Sequence, residues 1–569
     1  MYIKFTKSGG HQYVQLAESY RNEQGKPRQR VVANLGRLDD AGSNASAILA
    51  TLLKATGQIG EPSNNPAQRA PVFESSRALG DVWVLTQIWK QLGLDSLRKA
   101  LRQRTRHKID LEALLRVMVL NRLCDADSKL GVLRWLQTVS LPGLDLQRVE
   151  HQHLLRTMDA LLEHQEVIDQ VLADAVRPLV NEDLSVVFYD MTTIRAEGLS
   201  QPDGDVRRFG MAKEGGVARQ FMLGMVQTAE GVPLYHEVFE GNTAEVGTLK
   251  QSLRKVLERF PVKRVIAVAD RGLLSLDNLT DLQSIALPGG RALEFILAVP
   301  GRRYGEFAEL LESVNQAAAQ SEAPEIVQEL SWQGLRLVVA HDRQRAREQT
   351  AKRNAQIAQL EQQAAQWAGK LDAQDAGQRG RGRKLSDGGA RARFYHEVCE
   401  ARLKRIIRVD LKSELFTYDI DEKALAHARI MDGKLLLVSN TPDLTAQDIV
   451  ARYKSLADIE RGFKVLKSEI EIGPAYHRLP DPIRAHAYIC FIALVLHRVM
   501  RARLRERPAS DVGSPERALA ILRRIQTHRV TLQGQAPITG ISTISDEQQA
   551  VFNSLQVKKP EINDAYINL

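Results

Sequence analysis

The sequence predicts an α/β protein whose core is a mixed β-sheet, and three observations point to it. After a long helical stretch, the pattern changes near residue 184 to short apolar runs separated by turns and by two helical segments. Two of these runs end on an acid: Val186-Val187-Phe188-Tyr189 on Asp190, and Val265-Ile266-Ala267-Val268-Ala269 on Asp270. Far downstream, a helical pattern carries Glu460, seven residues after Tyr453 and seven before Lys467.

Taken in order, residues 1–57 predict a small N-terminal hairpin region with a short helix. Its strand-like runs, 12–17 and 29–35, flank the turn-rich link Asn22-Glu23-Gln24-Gly25-Lys26-Pro27. Residues 58–75 are rich in Gly, Pro, Ser and Asn and read as a linker. From 76 to 180 apolar residues recur at helical spacing, among them Leu111, Leu114, Leu115 and Val117. Between 181 and 301 strands are expected at 185–190, 219–227, 232–239, 265–269 and 293–299, with helices at 246–260 and 276–285. Three leading strands, then strands alternating with helices, is the order of a ribonuclease-H-like core.

Residues 302–440 read as a large α+β insertion between the fifth core strand and the helix of Glu460. It has a strand at 335–341, helices at 343–370 and 390–407 forming an antiparallel arm, and short strands at 417–420, 424–430 and 434–439. The core is expected to resume at 441–505, and 506–569 to be helical or irregular. The arm's tip, 377–393, holds Arg379, Arg381, Arg383, Lys384, Arg391 and Arg393 against one acid, Asp387. So glycine-rich a segment predicts mobility.

At 569 residues the chain needs two to four domains. Its 44% hydrophobic and 26% charged content is that of a soluble globular protein. Lys plus Arg exceed Asp plus Glu by 78 − 69 = 9, the sign that suits a polyanion. Three scattered cysteines do not suggest a disulfide scaffold and fit a cytoplasmic location, and no His/Cys spacing resembles a structural zinc site. The N-terminus lacks a signal peptide's apolar core, and the apolar stretch 485–500, interrupted by His486 and His497, reads as a buried core helix rather than a membrane span.

The chemistry follows from the acids. Two carboxylates at the ends of neighbouring strands and one on a helix packed across them can converge, and such a cluster can hold two divalent metals that activate an attacking oxygen and stabilise a leaving one at phosphorus. On one continuous helix, Tyr453, Glu460, Lys464 and Lys467 share a broad face, the ring suited to a base and the ammonium groups to phosphate. Arg271 neutralises the site or holds a phosphate. A basic run including Arg102, Arg104, Arg106 and Lys108 tracks a DNA backbone, as do Arg379, Arg381, Arg383 and Lys384 at the arm's tip. Each residue also has a structural reading: Asp190 as a cap, Asp270 as a strand end beside a surface Arg, Glu460 and Lys464 as an exposed pair, and the basic run as a solvated face.

The order and spacing of these residues resemble bacterial insertion-sequence DDE transposases, in the group with an insertion before the final glutamate. That group has a Tyr, two residues, an Arg, three residues, the catalytic Glu, six residues and a Lys. Here Tyr453, Glu460 and Lys467 match, and Leu456 stands in the arginine's place. The stretches Val14–Tyr20, Arg30–Leu38, Ala269–Leu273 and Ile483–His486 carry the same resemblance. It implies a transposase using Mg²⁺ or Mn²⁺, two per active site, held by Asp190, Asp270 and Glu460. Its partners are double-stranded DNA, namely the terminal inverted repeats of its own element and a target, and it acts as a dimer on paired ends, with no membrane. Water cuts first and the freed 3′-hydroxyl then attacks the target. Relatives often pass through a DNA hairpin, for which Tyr453 and Trp332 are the stacking residues to weigh. The alternatives are a related metal-dependent DNA nuclease and a domesticated, non-transposing DNA-binding protein.

Overall fold

The computed structural model describes residues 2–8, 11–22, 26–37, 72–105, 109–141, 149–180, 186–198, 202–211, 215–243, 248–260, 265–269, 279, 283, 292–377, 384–508, 512–531 and 536–561. At the N-terminus β1 (Tyr2–Ser8), β2 (His11–Arg21) and β3 (Pro27–Arg37) form an antiparallel sheet. The expected hairpin is the β2–β3 pair, and β1 extends it. The strand β4 (Val72–Ala78) overlaps the end of the expected linker. Its partner lies some 450 positions away, which no local pattern announces.

A helical layer follows: α1 (Gly80–Gln91), α2 (Leu97–Arg102), α3 (Leu111–Cys124), α4 (Lys129–Leu136), α5 (His151–Glu163) and α6 (Gln165–Val176). Asp110 and Ser128 cap α3 and α4 by accepting from the N–H groups of Ala113 and Gly131.

The central sheet is built from β5 (Val186–Arg195), β6 (Arg208–Met211), β7 (Val217–Thr228), β8 (Pro233–Glu240), β9 (Ile266–Ala269) and β10 (Glu294–Ala298). Helix α7 (Leu249–Arg259) precedes β9. The five main strands lie in the order β8-β7-β5-β9-β10. Strands β5, β7 and β8 are antiparallel, and β9 and β10 run parallel to β5. This is the ribonuclease-H-like mixed sheet expected from the sequence. Of the helix expected at 276–285, only residues 279 and 283 are described.

The segment after β10 continues the same sheet. Following α8 (Ala308–Gln320), β11 (Glu325–Trp332) and β12 (Leu335–Asp342) pair with each other, and β12 pairs with β15 (Lys434–Ser439), which lies beside β10. Trp332 packs on Phe307 with ring centroids 5.2 Å apart, so it belongs to the core rather than to a base-stacking surface.

Between β12 and β15 the chain leaves the sheet. Helices α9 (Arg343–Asp375) and α10 (Asp387–Glu400) pack on each other, followed by β13 (Ile407–Val409), β14 (Tyr418–Ile420) and α11 (Glu422–Met431). Leu360, Phe394, Val398, Ile407 and Leu425 form a separate small core here. Residues 424–430, expected as a strand, lie within α11: Asp421 caps it, and the alanine-rich run favours helix over its misleading alternation. The second arm helix ends at Glu400, not 407, because Arg402 takes a positive φ of 58°.

Three helices complete the core: α12 (Ala446–Lys454), α13 (Ala457–Ser468) and α14 (Pro480–Glu506). The first two were expected as one. By length and composition α14 could cross a membrane, but 94% of its apolar window is buried inside the protein, as expected of a core helix. Last come α15 (Pro515–Leu522), β16 (Gln526–Thr531), β17 (Ile538–Ile541) and α16 (Asp546–Ser554), with β4 pairing to β16. One hydrophobic core joins the helical layer, α14 and the central sheet.

Candidate active site

Asp190 does not end its strand. It sits midway along β5, opposite Met225 of β7. What ends next to it is the parallel pairing: Tyr189 opposite Ala269 is the last pair between β5 and β9. Asp190 and Asp270 are therefore each the residue that follows the last parallel pair. Asp270 and Arg271 lie outside the described residues.

Strand alternation decides which way Asp190 points. Tyr189 and Met191 face α7: the Tyr189 hydroxyl is 2.6 Å from Thr248 Oγ1, which lies 3.1 Å from Met191 Sδ. Asp190, Thr192 and Ile194 occupy the other face. Cross-strand partners share a face, so Met225 is on Asp190's side. That side is covered by α13. A Cβ on Gly462 would lie 3.1 Å from Met225 Cε and 3.3 Å from Gln227 Oε1. Just beyond α13, a Cβ on Gly473 would lie 3.0 Å from Ile194 Cγ2. Asp190 is 9% exposed, and its Oδ1 accepts from the N–H of Met191 at 2.7 Å.

The structure thus sets the helix of Glu460 over the sheet face of Asp190. Gly462, not Glu460, makes the close approach. Two residues along a helix turn about 200°, so Glu460 lies nearly opposite, and it is exposed. Lys464 is also exposed and Lys467 half-buried. Glu460 makes no ion pair with Lys464 among the described residues. No group of three or more His, Cys, Asp or Glu side chains among the described residues comes together closely enough to hold a metal.

Tyr453 does not share Glu460's helix. The helical pattern breaks at Ser455 and Leu456, so Tyr453 ends α12 while Glu460, Lys464 and Lys467 ride on α13. Ser455 Oγ donates back to the Ala451 carbonyl, a bond that bends helices, and Leu456 is buried at 6% exposure. Tyr453 is half-buried against the core. Leu456, in the arginine's place, is a core contact. Of the cations nearby, Lys454 is paired with Glu325 at 2.6 Å.

A buried ionic cluster behind the site escaped sequence reasoning. Arg207 and Asp205 are both fully buried, paired at 2.9 Å, and Arg219 reaches Asp205 Oδ2 at 2.9 Å. Arg207 also donates to the carbonyls of Glu197 at 2.9 Å and Arg478 at 2.8 Å. Burial pushes the Asp205 carboxyl up, but hydrogen bonds from Arg207 outweigh it and hold its pKa below the usual range. The cluster ties the loop after β5 to the segment after α13. The same two segments meet where Ala475 donates to the Arg195 carbonyl at 2.9 Å and accepts from Glu197 at 2.8 Å. In the sequence these charges follow Pro202-Asp203-Gly204, a surface turn by every local sign.

Of the cations assigned to DNA, Arg102 and Arg104 are exposed, and Arg106 and Lys108 lie outside the described residues. Their neighbour Arg98 is held by Asp110 at 2.9 Å and Glu112 at 3.3 Å. At the arm's tip Lys384 is exposed, while Arg379, Arg381 and Arg383 are outside the described residues. Arg391 is half-buried and donates to the Ser413 carbonyl. The expected glycine-rich tip is therefore helical from Asp387 onward, nucleated by the Ser386 cap.

Comparison with known proteins gives two family matches. Residues 181–496 match the family described as "Transposase DDE domain", and residues 2–65 match "IS1634 family transposase, N-terminal domain". No curated protein matches the chain. Among solved structures, the cryo-EM structure of the piggyBac transposase synaptic complex with hairpin DNA is similar at 8% identity and a TM-score of 0.36, over 80% of this chain and 82% of that one.

Proposed function

The chain belongs to the DDE transposases, and from that premise we propose that Asp190, Asp270 and Glu460 are the carboxylates with which it cuts the ends of its own element and joins them to a target. As a member it is an enzyme that binds DNA and transfers phosphoryl groups, chemistry that in this family generally uses divalent metal ions. One observation carries the assignment: Asp190 and Asp270 follow the last parallel pair of adjacent strands, on a sheet one face of which is covered by the helix of Glu460.

Carboxylate oxygens are the donors that Mg²⁺ or Mn²⁺ prefers, so the three acids fit two such ions. When bound, the ions stabilise charge on the attacking and leaving oxygens of an in-line displacement. The chain's own part is to position. Asp190 is fixed by its strand and by the Met191 N–H. Ser455 and Leu456 separate α13 from α12, so Glu460 rides on a short helix of its own set over the sheet face of Asp190. Lys464 and Lys467 follow Glu460 on the same helix, spaced to hold phosphates flanking the cut. Water attacks first, and the released 3′-hydroxyl attacks target DNA in turn. The terminal inverted repeats are the specific partners, two copies act on paired ends, and the cytoplasm is the place of action.

Incubating the protein with DNA carrying its own element ends and Mg²⁺, and mapping products at nucleotide resolution, tests this. Nicks at the element boundary and joined products are expected. Cleavage without joining would overturn the transfer step. A DNA-bound structure leaving Glu460 on the solvent side would remove it from the site.

A further inference from the structure

A cavity of about 600 Å³ opens between the helical layer and the segment that follows α13. That is the volume of a ligand site, not of a packing defect. Arg122 and Lys129 line it, as do Ser128, Tyr476, His477 and His486. It lies beside the point where Ala475 bridges Ala196, the residue that follows β5. Arg195, at the end of β5, lies five positions from Asp190, roughly 17 Å of extended chain.

The charges in this cavity are out of balance. Lys129 is 6% exposed and has no hydrogen-bond or carboxylate partner among the described residues. Arg122 is 4% exposed. It donates to the carbonyls of Glu471 at 3.4 Å and Asp127, and to Asn121 Oδ1 at 3.3 Å, but its buried Nε is unpartnered. The Nδ1 of His486 is likewise buried without a partner. The two carboxylates in the lining, Asp127 and Glu471, are both exposed, and Asp127 is engaged by the Ser128 N–H at 2.6 Å and by Arg134 at 3.5 Å. Burial, then the neighbouring Arg122 charge, lowers the Lys129 pKa to about 8. Two cations buried together without a counter-charge are costly. An anion in the cavity removes that cost: the unused Lys129 ammonium donates to it, and the Arg122 guanidinium adds its charge. At the mouth stands Tyr476, 73% exposed, an aromatic ring presented to solvent.

We propose that this cavity takes a backbone phosphate of the substrate DNA, with Lys129 and Arg122 supplying the counter-charge and Tyr476 stacking on a neighbouring base. The proposal rests on the transposase reading for the identity of the DNA. Stacking at the mouth is sequence-tolerant, because every base has a π face. The contact therefore grips DNA without reading it.

The test measures binding in EDTA, so that it does not depend on cleavage. Fluorescent duplexes with the element's terminal sequence and with an unrelated sequence are titrated at several salt concentrations against the parent, Lys129→Met and Tyr476→Ala. Lys129→Met keeps length and bulk while removing the buried charge, and Tyr476→Ala is a surface change that leaves folding intact. Each variant is expected to weaken binding of both duplexes roughly fivefold to tenfold, the scale of one lost stack. Only Lys129→Met should flatten the salt slope, by about 0.9. Ethylation interference on the parent should mark a phosphate away from the cut, and that mark should vanish with Lys129→Met. Unchanged affinity, slope and interference in both variants would overturn the proposal. So would stabilisation of the parent, but not of Lys129→Met, by inorganic phosphate without any change in DNA binding, which would make the cavity a free-anion site. Failure of the DNA-cutting assay with these binding losses intact would fault the transposase reading and leave the cavity's role standing.

Discussion

Asp190 is held in the middle of a strand at 9% exposure, a costly place for a carboxylate unless its charge is used. Asp190→Ala and Glu460→Ala are each expected to lose on the order of 10³-fold or more in cleavage and joining, because a metal's charge stabilisation is worth several kcal/mol. Binding to terminal DNA should change little, since it depends on cations. A gel assay of nicking beside an anisotropy titration separates the two, and normal Mg²⁺-dependent cleavage by folded Glu460→Ala would end that residue's assignment. Asp190 was legible because the acid closes an apolar run. The cluster behind it was not, because Asp205 and Arg207 look like turn residues until Arg219 and the Arg478 carbonyl meet them from distant segments. Arg207→Ala leaves Asp205 buried with half its pairing and should destabilise the protein by about 3–5 kcal/mol. A thermal melt within a degree or two of the parent's would contradict that.

At the scale of the element, α13 decides whether the site assembles. The acid's presence on a helix was readable from spacing, but the break before it was not. It arises from a buried leucine and a serine bonding backward, which periodicity does not register. Gly462 is the contact that seats α13 on β7. An Ala there would meet only the ends of flexible side chains: Arg498 Nη2 at 3.0 Å, Met225 Cε at 3.1 Å and Gln227 Oε1 at 3.3 Å. Those ends can move, and helix propensity returns about 1 kcal/mol, so Gly462→Ala should keep cleavage within about threefold. Gly462→Leu cannot be absorbed in this way. It should lift α13 and cut cleavage by about tenfold or more while DNA binding holds. Equal activity of the two variants would mean that the seating of α13 does not matter to the chemistry. The misread strand at 424–430 teaches the complementary lesson: in Ala-Leu-Ala-His-Ala-Arg-Ile alternation and helix propensity compete, and the Asp421 cap settles the outcome.

At the scale of the whole molecule, the order of the core strands was legible because each carries its own apolar run. What remained hidden were pairings across long separations, β4 with β16 and β12 with β15. The latter makes the arm's base part of the central sheet. The arm is anchored there by Asp432, which accepts from Thr350 Oγ1 at 2.5 Å and from Arg353 Nη1 at 2.8 Å. It is stiffened by its own core, where Trp367 meets Phe394 edge-on at 6.3 Å. A stiff, anchored arm holds its described end, Lys384 and the start of α10, away from the sheet. Arg391 is committed to the Ser413 carbonyl, so the cations assigned to DNA are Arg379, Arg381, Arg383, Lys384 and Arg393. Each phosphate they neutralise contributes about 0.9 to the slope of log affinity against log salt. Replacing all five with glutamine is expected to weaken binding to terminal DNA and to flatten that slope by two to four units, about 0.9 for each contact actually made. Single-turnover cleavage at saturating DNA should stay near the parent's rate, because none of the five lies on the strands or helix of the three acids. Titration of the same labelled duplex across a salt series decides it: equal affinities and equal slopes for the parent and the neutralised arm would leave the tip as a solvated basic loop.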